Sequence, residues 1–183
     1  MILWHLGTAA AIVYVTLGRQ RIDYRFILIG AVLPDVIDGI LGLFVFDDGG
    51  GGPGRWIAHS LMADVAVTVA IILLLSGAAR QRWFGIGVGW LLHLVCDGMW
   101  DAPKTFFWPI AGTDFSPAPK EPYTWDLFVH PLAHWTTWAA ELVGLALLAW
   151  FWVAFSLGRD GRFKTFLGDG YLRPDPTEYA PLR

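Results

Sequence analysis

Long apolar stretches alternate along the chain with short polar connections. Five stretches approach or exceed the length that crosses the roughly 30 Å hydrocarbon core of a membrane as a helix. They run over residues 2–17, 26–46, 56–76, 84–100 and 134–157. The first is short, but no basic residue precedes it and no small-residue cleavage site follows it, so we interpret it as a retained helix and not as a signal peptide. The pattern predicts an all-α fold, an integral membrane helical bundle with about five transmembrane helices.

Basic side chains predict the orientation of this bundle. All 13 Lys and Arg residues lie outside the apolar stretches, ten of them on one side of five crossings and three on the other. Because basic residues concentrate in cytoplasmic loops, we expect a multi-pass protein of the inner (plasma) membrane with its N-terminus outside and its C-terminus in the cytoplasm. The chain then divides into a transmembrane helical domain, residues 1–157, with a site at its outer face, and a cytoplasmic tail, residues 158–183.

Composition narrows the class of protein further. Hydrophobic residues make up 55% of the chain and charged residues only 16%, which is below the quarter typical of soluble domains. The net charge of −3 and the absence of a basic stripe in the sequence argue against nucleic-acid binding. One cysteine, Cys96, excludes a disulfide scaffold. The expected partners are membrane lipids and a lipid-linked or amphipathic small molecule, with no nucleic acid.

Two connections have unusual compositions. The segment 47–54 is rich in glycine, without the spacing of a phosphate-binding loop, and the segment 103–131 is rich in proline and aromatic residues. Aromatic side chains favour the water–lipid interface. We therefore place the segment 103–131 at the outer interface, either as a surface loop or as a lid over a site.

Ionisable side chains inside the apolar stretches are the main functional signal. A carboxylate near the bilayer centre costs about 2.5–3.5 kcal/mol, and the stretches contain no Lys or Arg to offset this cost. With a rise of about 1.5 Å per residue, six such residues fall in the outer half of the bilayer, which favours a bound cation. They are His5, Asp35, Asp38, His59, His93 and Asp97. Asp35 lies deeper than His59 in this estimate, a mismatch that requires a kink at Pro34 or two metal ions.

The spacing of these residues agrees with a metal site. His93 and Asp97 are four residues apart and Asp35 and Asp38 are three apart, so each pair shares one helix face. Imidazole and carboxylate ligands suit a divalent metal ion, zinc first, with manganese or iron as alternatives. The competing interpretation is a set of buried hydrogen-bonded pairs that fix helix packing. Glycines are predicted to let the second and fourth helices approach closely, namely Gly30, Gly39, Gly42, Gly85, Gly87 and Gly89.

Three other ionisable residues have less defined roles. Asp64 lies off the face of His59 and is expected to support a ligand instead of binding the metal. His134 and Glu141 share a face of the last helix. They would orient a ligand, act as an acid–base pair or form a helix–helix hydrogen bond.

The same residues resemble a known family. The run from Gly30 through Pro34-Asp35 to Asp38, together with Arg55 ahead of His59-Ser60 and the His93-x-x-x-Asp97 pair, resembles the LexA-regulated, membrane-bound metal-dependent hydrolase family of prokaryotic inner membranes. The likeness covers roughly residues 1–112. It implies hydrolysis with a bound metal and a distant similarity to zinc-dependent phospholipase C, and it marks the same six residues as metal ligands. The chain departs from the family pattern at Gly54, Trp56, Ala58 and Gly98-Met99-Trp100-Asp101.

A metal at this depth predicts hydrolysis at the outer membrane interface. A bound metal activates water and polarises a phosphoryl or carbonyl oxygen, and Asp38 or Asp97 is the expected proton acceptor. A lipid-linked or phosphoester substrate follows from the interfacial position. The alternatives are ion- or proton-coupled transport through the same acids and a regulatory or accessory role without catalysis.

Overall fold

The computed structural model describes residues 1–17, 22–44, 55–115 and 135–173, and these residues form helices without a single strand among them. The all-α prediction is confirmed for this part of the chain. The eight α-helices of the described residues are α1 (Ile2–Leu17), α2 (Tyr24–Gly30), α3 (Leu33–Phe44), α4 (Leu61–Leu74), α5 (Gly77–Cys96), α6 (Pro103–Phe106), α7 (Trp135–Ala154) and α8 (Arg162–Asp169). Two 3-10 turns, Ile57–His59 and Met99–Asp101, precede α4 and α6.

Among the described residues, one helix is long and apolar enough to cross a membrane by length and composition, and it is α7. Helices α1 and α4 are apolar but shorter. The fold therefore confirms the helical class, while the five spans and their orientation stay predictions. The predicted loop 47–54, most of the segment 103–131 and His134 lie outside the described residues.

The second apolar stretch is two helices and not one. Helix α2 ends at Gly30 and α3 begins at Leu33, so the chain breaks at Ala31 and Val32. Pro34 is the physical reason, because its nitrogen cannot donate to the carbonyl of Gly30, and proline is accommodated in the first turn of a new helix. The break places Asp35 in the first turn of α3.

The fourth stretch forms a longer helix than the apolar pattern predicts. Helix α5 begins at Gly77, so Arg80 and Arg82 lie within it, and their predicted place in a loop is wrong. Alanine, arginine and glutamine are good helix formers, so the helix continues where hydropathy falls. Its other end is marked by Gly98, whose φ of +61° turns the chain sharply after Asp97.

Helices α2 and α5 cross with their backbones in direct contact. A Cβ on Gly30 would collide with the carbonyl oxygen of Ile86, and a Cβ on Gly89 would collide with that of Ile27. The predicted role of glycine is therefore correct at these two positions. The predicted role is wrong for Gly39, because a Cβ at this position would have no atom within 4 Å.

Helices α1 and α7 form a second close pair. The backbones meet at Gly7 and Gly144, and below this crossing Val13 and Phe151 are buried in one apolar core with residues of α2. Phe166 of α8 joins this core. The first part of the predicted tail is therefore packed on the bundle, while its cytoplasmic location stays a prediction.

Candidate metal centre

Side chains from four elements meet at one end of the bundle. Helix α1 contributes a histidine from its first turns, α3 contributes two aspartates, and the turn before α4 contributes a histidine. Helix α5 contributes its one histidine, and the aspartate that follows the helix completes the set. These are the six residues that the sequence predicts as metal ligands: His5, Asp35, Asp38, His59, His93 and Asp97. The structure brings all six into one connected cluster.

Two imidazoles at the centre face each other through their Nε2 atoms. His59 Nδ1 donates to Asp38 Oδ2 at 2.7 Å, and His93 Nδ1 donates to the carbonyl of Ala31 at 2.9 Å. Because the Nδ1 atoms carry the protons, each neutral ring presents a lone pair at Nε2. The two Nε2 atoms are 3.2 Å apart. Two nitrogens that bind one tetrahedral zinc at 2.0–2.1 Å stand about 3.3 Å apart, so the spacing suits a shared cation.

Two carboxylates flank this pair of nitrogens. Asp35 Oδ1 lies 3.4 Å from His59 Nε2 and 3.6 Å from His93 Nε2. Asp97 Oδ2 lies 3.6 Å and 4.0 Å from the same two atoms. The Asp35 side chain is 36% exposed and that of Asp97 only 6%, so Asp35 is the carboxylate nearer to solvent.

His5 supplies a further donor atom. Its Nε2 lies 3.1 Å from Asp97 Oδ1, and its ring stacks on that of His93 with centroids 4.1 Å apart. When Nε2–H donates to the carboxylate, Nδ1 carries the lone pair. This Nδ1 is buried and has no hydrogen-bond partner among the described residues, although buried polar atoms are normally satisfied. A buried imidazole with a free ring nitrogen fits a metal ligand.

Two overlapping groups of donors lie close enough to hold a metal ion. In each group the ligand atoms are all within 4.8 Å of one another; the first is His5, Asp35 and His93, and the second is His59, His93 and Asp97. The difference in depth between Asp35 and His59 disappears because the chain breaks before Pro34, as one of the two expected explanations requires. The donor chemistry of nitrogen and carboxylate oxygen fits zinc, manganese or iron.

Asp38 takes a different place from the predicted one. Its oxygens accept the backbone N–H groups of Trp56 at 2.5 Å, Ala58 at 2.9 Å and His59 at 3.2 Å, in addition to His59 Nδ1. The residue is 0% exposed. With both oxygens engaged, Asp38 orients His59 and the turn that carries it, and the geometry does not support its predicted roles as metal ligand and proton acceptor.

Arg55 is a site residue that the sequence analysis did not identify as one. Its Nη2 lies 2.8 Å from Asp97 Oδ2, and its side chain is 42% exposed. Counted among the loop cations, it was noted only as part of a motif. Its position four residues before His59, in the same connection, was the available signal.

The charges of the cluster do not cancel. Three carboxylates meet one guanidinium, so with neutral imidazoles the group carries a net charge of about −2. Burial of such a charge is costly unless it is compensated. One divalent cation would neutralise it.

The other acidic candidates lie apart from the cluster. Asp64 is buried, and Thr68 Oγ1 lies 3.5 Å from its Oδ1. Glu141 Oε2 accepts the backbone N–H of Leu3 at 2.9 Å, which is the helix–helix hydrogen bond among the three roles considered for it. Asp101 is exposed.

Comparison with known proteins gives one match. The sequence model described as YdjM inner membrane protein matches residues 1–162. The match includes α7, the last apolar helix of the described residues. No curated protein and no solved structure matches the chain.

Proposed function

Because this chain belongs to the YdjM inner membrane protein family, we propose that it is a multi-pass membrane protein whose histidine–aspartate cluster binds a divalent metal ion and hydrolyses an amphipathic phosphoester at the outer interface. Membership in the family supports the inner-membrane location. The spans, the metal and the chemistry are the proposed part.

The distribution of exposed apolar side chains supports several spans. Helix α4 packs on α5 with one side and exposes Val65, Val69, Leu73 and neighbouring aliphatic residues on the other. Helix α7 likewise exposes a series of leucine, valine and tryptophan side chains, and only 11% of the residues in its most apolar part are buried inside the structure. Apolar surface on this scale is unfavourable in water and favourable against lipid.

The positions of basic residues support the proposed orientation. Arg80 and Asp97 stand at opposite ends of α5, which at about 1.5 Å per residue separates them by about 25 Å. Arg25 lies at the same end as Arg80, where it donates to the carbonyls of Leu167 and Gly168 at 2.7 Å. The positive-inside tendency then places the metal cluster towards the outer face.

One observation carries the proposed metal: the Nε2 atoms of His59 and His93 face each other at 3.2 Å with both Nδ1 protons committed elsewhere. Asp35, Asp97 and His5 complete the donor set. A backbone carbonyl and a carboxylate that fix the ligating rings are the usual support of protein metal sites.

A metal held there would polarise a phosphoryl oxygen and lower the pKa of a water molecule. The chain's own contribution is the placement of acid and base groups around that point. Asp35 Oδ1 faces the imidazoles, and its second oxygen, on the more exposed side chain of the two carboxylates, is available to accept a proton from water. Asp97 is held by His5 and Arg55 and is less free to take this role.

Exposed apolar side chains beside the cluster support an amphipathic substrate. Trp100, Phe107 and Ile110 follow directly after α5 and are 59%, 44% and 76% exposed. Lys104 lies in α6 between them. Such an interfacial rim would hold the acyl or isoprenoid part of a substrate near the metal.

The transport alternative expects ionisable groups that continue through the bundle. In the described parts of α1, α4, α5 and α7, the acids outside the cluster are Asp64 and Glu141. Glu141 caps the start of α1 and so does not extend a proton path. No observation favours this alternative over a metal centre.

Metal analysis of the detergent-purified protein tests the proposal. We expect zinc, manganese or iron in stoichiometric amount in the wild type and in Asp64→Asn, whose altered carboxyl group is buried outside the cluster. The double variant His93→Ala/Asp97→Ala should lose the metal. Hydrolysis of a lipid phosphate in mixed micelles should follow the metal content. Equally low metal in wild type and double variant would contradict the proposal.

A further inference from the structure

We infer that Arg55 is the anion-binding residue of this centre, which selects a substrate with a phosphoester oxyanion by binding it beside the metal. The inference rests on the proposed function and adds the group of the chain that recognises the substrate.

The first step is the position of the guanidinium. Its Nη2 contacts Asp97 Oδ2 at 2.8 Å, and the same oxygen lies 3.6 Å from His59 Nε2 and 4.0 Å from His93 Nε2. One oxygen atom therefore separates the guanidinium from the two imidazole nitrogens. An oxyanion that reaches the centre of the cluster is also within reach of Arg55.

The second step is the number of donors that remain. A guanidinium has five N–H donors in a planar fork, and the contact with Asp97 uses Nη2. Among the described residues, Asp97 is the partner that the Arg55 side chain contacts. The side chain is 42% exposed, so the rest of the fork is open to a ligand from solvent or from the membrane interface.

The third step is charge. With neutral imidazoles, the cluster and Arg55 together carry about −2, and a divalent cation would bring this to about zero. An anion would then meet a neutral centre with one exposed positive group. Because the planar fork matches the spacing of phosphate oxygens and pairs with them in bidentate fashion, a phosphoester is the anionic substrate that this arrangement fits.

A structural role for Arg55 is the competing explanation, since the same contact also neutralises buried Asp97. The two roles differ in what they require. If Arg55 only neutralises Asp97, any positive side chain suffices and replacement of Arg55 should change metal binding. If Arg55 recognises phosphate, the planar fork is needed and its replacement should leave the metal in place.

Binding of inorganic phosphate to the metal-loaded protein in detergent separates these roles. We expect Arg55→Gln to weaken phosphate binding at least about tenfold, the order of one charged hydrogen bond, while its metal content equals that of the wild type. Arg55→Lys should lie between the two proteins, and Asp64→Asn should match the wild type. Acetate serves as the comparison anion and should bind more weakly than phosphate to the wild type.

Each other outcome overturns one specific idea. Unchanged phosphate affinity in metal-bound Arg55→Gln, or loss of metal from this variant, overturns the role of Arg55 in anion recognition. A wild-type phosphate affinity in Arg55→Lys overturns the importance of the planar guanidinium fork. A metal-free wild type overturns the proposed function itself, which the same samples reveal independently.

Discussion

At the residue scale, the centre is organised by the partners that fix its imidazole rings. Asp38 holds Nδ1 of His59, and the Ala31 carbonyl holds Nδ1 of His93. Both contacts turn the opposite nitrogen towards the cluster. The arrangement makes a carboxylate and a peptide bond responsible for ligand geometry, although neither faces the proposed metal.

Replacement of Asp38 tests this positioning role. In Asp38→Asn one acceptor oxygen becomes an NH2 donor, so at least one of the backbone N–H groups of Trp56, Ala58 and His59 loses its acceptor. We expect a loss of about 1–3 kcal/mol in unfolding free energy and a decrease in metal affinity of about 10–100-fold. Tryptophan fluorescence during thermal unfolding and metal titration against a chelator measure these two effects.

The matched comparison is Asp64→Asn, which alters another buried aspartate that lies away from the imidazoles. It should keep the wild-type metal affinity. If Asp38→Asn also kept it, Asp38 would be a support of the turn at residues 57–59 and not of the ligand.

The sequence was sufficient to predict which residues meet, but not how they are used. Their residue types and their shared half of the bilayer identified all six members of the cluster. Backbone N–H groups at residues 56–59 occupy both oxygens of Asp38. This could not be predicted, because it depends on the form of a turn that has no sequence signature. For the same reason Arg55 was counted only as a loop cation.

At the element scale, the interruption between α2 and α3 decides the position of the site. Depth estimated along a straight helix separates Asp35 from His59, and the break before Pro34 removes the separation. Proline marked the place of the break in advance, but the new direction of α3 follows from packing against the turn at residues 57–59, which hydropathy does not encode.

The crossing of α2 and α5 provides a test at this scale. A methyl group on Gly30 would collide with the carbonyl oxygen of Ile86, so Gly30→Ala must push the helices apart. We expect a loss of about 1–3 kcal/mol in unfolding free energy and weaker metal binding, because Ala31 moves away from His93. Thermal unfolding in detergent and metal titration measure both.

Gly39→Ala is the control for this substitution. Nothing lies within 4 Å of the added carbon, and alanine is the better helix former by about 0.5–1 kcal/mol. Stability should therefore stay equal or increase. A destabilised Gly39→Ala together with an unaffected Gly30→Ala would contradict the close crossing.

At the scale of the whole molecule, the charged cluster and most of the described basic residues occupy opposite ends of the bundle, with Arg55 and Lys104 at the end of the cluster. The exposed aliphatic surface of α4 and α7 lies between these ends. Hydropathy predicted the class of protein from this pattern. It missed the break between α2 and α3 and the start of α5 at Gly77, because helix ends follow from proline, glycine and packing as much as from apolar character.

Cysteine labelling tests the proposed orientation. The native Cys96 is replaced by alanine, and a single cysteine is introduced by Asp114→Cys near the cluster or by Lys164→Cys in α8; both positions are exposed. In right-side-out membrane vesicles, a membrane-impermeant maleimide should label the first protein and not the second. Inside-out vesicles should reverse the result, and labelling of both sites from one side would refute an odd number of crossings.

The pairing of α1 with α7 has a consequence for the centre, although α7 contributes none of the six side chains. Leu3 is tied to Glu141, and Gly7 is pressed against the backbone of Gly144. His5 lies midway between these anchors and, at about 100° per residue, projects from the opposite side of α1. The height of His5 along the bundle is thus fixed by a helix more than a hundred residues away in the chain. A shortened protein that ends after residue 115 would lack α7. Helix α1 could then shift along the bundle, and His5 would lose its position in the cluster.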